Sequence, residues 1–132
     1  MLLASCGISS APPVDSTGQQ LPQVYKIDAA NAARIPYRLL DSVNTLRSAK
    51  GLQPLAFNAA LNAAALTHSR DMSVQNRPWH FGSDGSSPLL RTQRVGYTGL
   101  FLGELISETY QTELEPLSAW MGQPDTRNVV LD

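Results

Sequence analysis

Two histidines and one isolated glutamate carry most of the acid–base chemistry this chain can offer. His80 sits in "WHFGSDGSSPLL", residues 79–90, between Pro78 and a Ser87-Pro88 helix start. A loop imidazole can turn one N–H inward and leave its other nitrogen for a metal, a water or a ligand; it can equally hold its own turn through a backbone hydrogen bond. Glu104 stands between Gly103 and Leu105 in an otherwise apolar run. An unpaired carboxylate there is costly to bury, so it must face water or find a donor. Facing His80, each group would favour the charged form of the other, which is the start of a metal or acid–base site. The remaining polar residues near these two read as structural. His68 lies within the apolar stripe of an alanine-rich helix, as a core histidine. Asp71, one turn on, reads as a cap or ion-pair partner, and Asp84 closes the glycine-bounded turn that carries His80. Arg91 reads as an ion-pair partner rather than a ligand clamp, and Trp120 as a core aromatic.

Several other chemistries have no residues to carry them. There is no HExxH, Walker loop, GxSxG or dinucleotide fingerprint in the sequence. A single cysteine, Cys6, allows no internal disulfide. The net charge is −1, and the basic residues are scattered singly. Nucleic-acid binding needs clustered positive charge and is not expected.

The elements that must position His80 and Glu104 are mostly helical. Ile35, Leu39, Val43 and Leu46 recur at helical spacing over 31–50, with Gly51 as the stop and Pro36 near the irregular start. Asn58 caps an alanine-rich helix from Ala59 to about Val74. Ser87 caps a short helix from Pro88 to about Val95, ended by Gly96. Thr112 opens a further helix, with Glu115 placed for a capping box, and Asp125 is placed to cap one more turn. Residues 99–107 and 129–131 are the best strand candidates. At 132 residues the chain suggests one domain. Residues 1–23 read as an export-signal remnant and flexible tether, and 24–132 as the domain. Within the former, Leu3-Ala4-Ser5-Cys6 resembles a bacterial lipobox, which would make Cys6 a lipidation site and anchor the protein to a membrane.

The separated blocks "VNTLRSAKGLQPLAFNAALNAAALTHSRDM", "HFGSDGSSPLLRTQRVGY", "GELI" and "AWM" together resemble the bacterial branch of the CAP superfamily, the SCP/PR1-like or cysteine-rich secretory protein domains, over about residues 35–132. The resemblance implies an α+β fold, an α-β-α sandwich, in a secreted or envelope protein. It also implies a shallow cleft lined by histidines and acids that holds a divalent metal in some members. His80 falls on the histidine of the family's HxGxDG block, Glu104 on the glutamate of its GEN-I block, and His68 on the histidine of its helix block. The last block departs: in "AWMGQPDTRNVVLD" Thr126 stands where a second cleft histidine is expected. A threonine hydroxyl is a poor zinc ligand beside imidazole and carboxylate. The chain stops where the family continues into further strands, so a helix-rich, C-terminally shortened member is expected.

These readings make the expected protein a non-enzymatic binding domain. Its cleft, lined by His80, Glu104 and Thr126, would take a lipid, a peptide or a cell-surface protein. It would need no cofactor, and any divalent metal, such as zinc on His80 and Glu104, would bind weakly. The alternative is a weak metal-dependent hydrolase on the same two residues.

Overall fold

The structure is a computed structural model and describes residues 13–22 and 25–132. Cys6 and the lipobox-like residues lie outside the described residues. Residues 13–22, expected within a flexible tether, close into a small turn. The Asp15 carboxylate accepts the N–H groups of Thr17 and Gln19, at 2.8 and 2.9 Å. Val14 and Gln20 form an isolated antiparallel bridge across it.

Five helices follow: α1 Ala29–Ala49, α2 Ala59–Gln75, α3 Pro88–Arg94, α4 Leu114–Gly122 and α5 Pro124–Leu131. α1 starts earlier than the apolar periodicity predicts, because the Asp28 side chain caps it by accepting the Asn31 N–H. Pro36 therefore lies two turns inside the helix rather than at its irregular start, and leaves the Ala32 carbonyl without its helical donor. Gly51 takes φ +70°, a left-handed conformation, just past the end of α1. α2 is capped by Asn58 and ends on Asn76, also left-handed. In α3, Ser87 caps and Pro88 fills the first turn, where its missing N–H costs nothing.

The C-terminal third differs more from expectation. α4 begins at Leu114 with Glu113 as its cap residue, not at Thr112; the Glu115 carboxylate reaches back to the N–H groups of Gln111 and Thr112, but no side chain caps the helix in return, so only half of the expected capping box forms. Asp125 does not cap α5. It sits within the first turn behind Pro124, and Gln123 is the cap residue. Residues 129–131, a strand candidate, are the last turn of α5. The local start signal of Pro124 and an acidic first turn outweighs the β-branched preference of Val129 and Val130. Residues 99–107 belong to no strand: residue 99 is a bend, and no other segment pairs with them among the described residues. The domain is thus helix-rich, without a named strand among the described residues; of the expected layered sandwich only the helices are present there.

The helices form two groups. α1, α4 and α5 pack on one another, and α2 packs on α3. Apolar burial is thin: Ala64, Leu117 and Val130 are the buried hydrophobic side chains among the described residues. The buried polar set is larger and includes Arg47, His68, Ser86, Arg91 and Thr92. Such groups are tolerated inside only when hydrogen-bonded. Arg47 shows how. Its Nε donates to the Gln53 carbonyl at 2.9 Å, and its Nη1 to the carbonyls of Val130 and Asp132, at 3.0 and 2.7 Å. One guanidinium thus ties the loop after α1 to the free carbonyls at the end of α5, where a cation is also favoured by the helix dipole.

Replacing Arg47 with alanine should lower the unfolding free energy by about 2–4 kcal/mol, because buried carbonyls lose charge-assisted partners. Arg47→Lys should recover part of that, having charge but no fork. Urea unfolding of the three proteins checks the order.

Candidate functional site

The His80 loop is built by three side chains. Gly82 donates to the Ser86 carbonyl at 2.9 Å, and Gly85 donates to the Gly82 carbonyl at 2.9 Å. Asp84 accepts the Ser86 N–H at 2.9 Å and pairs with Arg94 of α3. Asp71, from α2, accepts the Ser83 N–H at 2.7 Å and so fastens the loop to the helix before it. A Cβ on Gly82 would stand 2.6 Å from the Ser86 hydroxyl oxygen and 2.8 Å from Asp84 Oδ1, so the turn closes this tightly only around glycine. Hydrogen bonds from Ser86, then from Arg94, hold the Asp84 carboxyl well below the usual carboxylate range. Hydrogen bonds from Ser83 lower that of Asp71, with a smaller contribution from nearby His68.

The loop and α3 then converge on Glu104 through Arg91. The Arg91 Nη1 donates to the carbonyls of His80 and Ser86, at 2.8 and 3.0 Å. Its Nη2 donates to both carboxylate oxygens of Glu104, at 2.8 and 2.7 Å. The guanidinium is buried and the carboxylate half-buried. His80 approaches Glu104 from the other side, with Nδ1 at 3.0 Å from Oε1. A carboxylate already paired with an arginine can only accept, so Nδ1 carries the proton and Nε2 is the nitrogen left for other use. His68 reaches the same carboxylate at 4.0 Å, while its Nε2 bonds the Trp79 carbonyl at 2.9 Å. A carbonyl only accepts, so His68 bears its proton on Nε2. Its Nδ1 is buried without a partner among the described residues.

Glu104 is kept in place by its own segment. A Cβ on Gly103 would lie 2.9 Å from both γ-carbons of Val129, so glycine lets the chain lie directly on α5. Two residues on, the Ile106 carbonyl accepts from the Trp120 indole of α4 at 3.3 Å. Trp120 therefore holds the Glu104 segment as well as filling space.

His80, Glu104, His68 and Arg91 thus meet in one cluster, with Asp71 and Asp84 beneath the loop that carries it. Thr126, placed in the cleft by the sequence reading, instead closes the corner between α4 and α5. Its hydroxyl lies 2.6 Å from the Trp120 carbonyl and 3.3 Å from that of Gln123, within reach to donate. A cleft was expected on His80, Glu104 and Thr126; the groove beside the cluster is lined by Glu104 and by neither of the other two. A groove of about 420 Å³ runs from His68 and Glu104 between α1, α2 and the segment before α4, over Ile35, Leu39, Met72 and Trp120. The apolar faces of α1 and α2 were legible, but as core positions; here no sheet covers them among the described residues.

The sequence model of the cysteine-rich secretory protein family, CAP, matches residues 40–132, most of the chain. The chain belongs to the CAP family. No curated protein and no solved structure gave a match. A divalent metal of the kind the resemblance implies for some members has a poor seat in this CAP domain. Both oxygens of Glu104 are taken by Arg91, leaving one imidazole nitrogen beside a neutralised carboxylate. No group of three or more His, Cys, Asp or Glu side chains is arranged for a metal among the described residues. The donor set does not fit a resident ion.

Two expectations concern how the cluster is held. Because the folded carboxyls of Asp71 and Asp84 ionise at lower pH than unfolded ones, their contribution is complete above about pH 4 and is lost as pH falls through the lowered values. The urea midpoint of the native domain should therefore drop on acidification. An Asp71→Asn, Asp84→Asn double variant should start lower at neutral pH and fall less. Separately, Gly103→Ala should destabilise the domain by about 1–3 kcal/mol, and adding Val129→Ala should restore part of the loss, as a double-mutant unfolding cycle would measure.

Proposed function

We propose that this CAP domain is a non-catalytic binding module that takes a lipid chain in the groove beside Glu104. The observation that carries the reading is the occupation of the Glu104 carboxylate. A carboxylate held through both oxygens by a guanidinium is a weaker base and a poorer metal ligand, because the cation stabilises its negative charge. Both Glu104 oxygens are committed to a buried arginine that also holds the loop on which His80 sits. The arrangement serves to fix a wall of the groove. The exposed lining of the groove is mainly apolar, with polar groups at His68 and Glu104 and again at Glu108, Gln111 and Glu113 of the segment before α4, which suits an aliphatic chain with a polar head.

The same reading makes the protein an exported one, of the bacterial branch of the family and held at the envelope. The lipobox-like Leu3–Cys6 sequence and the small, polar residues that follow it support this. A metal-dependent hydrolase on His80 and Glu104 is the weaker alternative, since its ligands do not fit.

Titration with a fluorescent fatty acid or sterol tests the proposal. Saturable binding is expected, unchanged by EDTA. Met72→Glu, in the groove, should weaken it about tenfold or more by setting a charge against the apolar chain. His80→Ala should change it far less. Circular dichroism checks that both variants fold. Absence of saturable binding to either probe, or binding abolished by EDTA, overturns the reading; binding of an apolar peptide alone would move the ligand class from lipid to peptide.

A further inference from the structure

Taking the groove beside Glu104 as the lipid site argued above, we propose that it selects by the charge of the lipid head. It takes a single long chain that ends in an amine and discriminates against one that ends in a carboxylate. Glu104, Glu108 and Glu113 line the groove, and no lysine or arginine does so among the described residues. The chain as a whole is close to neutral, at −1, so the imbalance is local to this face.

The three acids are not equivalent. Glu104 is paired with Arg91 and Glu113 with Arg38, so each is balanced by its own partner. Glu108 is exposed, and among the described residues its one hydrogen bond is through its backbone carbonyl, which accepts from the Thr109 hydroxyl at 2.6 Å. Arg77 shares a shallow hollow with Glu108, but its guanidinium stacks on the Trp79 ring at 3.4 Å and does not line the groove. Glu108 therefore sets the sign of the site. The ring N–H groups that could hold an anion are already used: His68 donates to the Trp79 carbonyl and Trp120 to the Ile106 carbonyl. Hydroxyls along the lining donate or accept alike and favour neither sign. A carboxylate head meets Glu108 with no cation to offset it, whereas an ammonium brings three donors and the opposite charge. An exposed pair of this kind is weak, so the preference should be about tenfold rather than absolute.

Calorimetric titration of the full chain with dodecylamine, dodecanol and dodecanoate reads the order, at neutral pH and below the concentrations at which they aggregate. The amine should bind about tenfold more tightly than the carboxylate, with the alcohol between them, and the spread should narrow as salt is raised. Glu108→Gln should bring amine and carboxylate close together, and Glu108→Lys should reverse them. The Glu108 side chain holds no other group among the described residues, so both variants should keep the native circular dichroism spectrum. Equal binding of the three, tighter binding of the carboxylate, or an order unchanged in both Glu108 variants overturns this selectivity and leaves the groove standing as a lipid site. Binding of none of the three overturns both.

Discussion

The Arg91 guanidinium is the joint on which this domain turns. Among the described residues it is the one side chain that bonds the His80 loop, the turn before α3 and the Glu104 segment at once. Without it, Glu104 would be a half-buried carboxylate facing only imidazoles, and the loop carbonyls of His80 and Ser86 would lose their donor. A buried pair of this kind contributes less to net stability than its short distances suggest, since both charges were well solvated before folding. Its value is positional. Breaking it from one side leaves an uncompensated charge, so the arrangement is held as a unit or not at all.

Through Glu104 the joint extends to the other half of the molecule. The same short stretch rests on Val129 of α5, accepts from Trp120 of α4, and leads to Glu113, which pairs with Arg38 of α1 and accepts from Tyr25. Two groups of helices with few buried apolar side chains are therefore connected by polar fastenings along one non-helical segment. This differs from a domain closed around a single apolar core, and it explains why buried arginines are as prominent as buried aliphatics.

How much of this the sequence discloses depends on how local the cause is. Asn58, Ser87, Pro88 and Gly51 act within a few residues, and α2, α3 and the end of α1 could be read from them directly. Pro124 is equally local, yet Val129 and Val130 read as strand because β-branched residues suit both settings. Residues 99–107 have the apolar pattern of a strand, but a strand exists only with a neighbour, and no pattern within a segment states whether one is present. At the site, the meeting of His80 with Glu104 was legible from the cost of leaving a carboxylate alone. The fork of Arg91 was not, since an arginine on a short helix looks the same whether it pairs at the surface or inside. Thr126 was read by its place in a block, and its hydroxyl found a nearer acceptor in the backbone of the preceding helix. A cleft at Glu104 was expected, but its apolar lining was not legible, because an apolar stripe on α1 or α2 says that something should cover it, and not what.

The two helical groups also differ in how far apart along the chain their fastenings lie. The bonds of the α2–α3 group join residues separated by about a dozen positions: His68 to Trp79, Asp71 to Ser83, Arg91 to His80. Those of the other group span far longer stretches, with Arg38 and Glu113 separated by 75 positions and Arg47 and Val130 by 83. Closing a long loop costs more entropy before any contact repays it. Assembly thus has a built-in order: the loop bearing His80 can settle early against its two neighbouring helices, during synthesis if need be. The Arg38 and Arg47 clasps wait until Glu113 and Val130 have emerged.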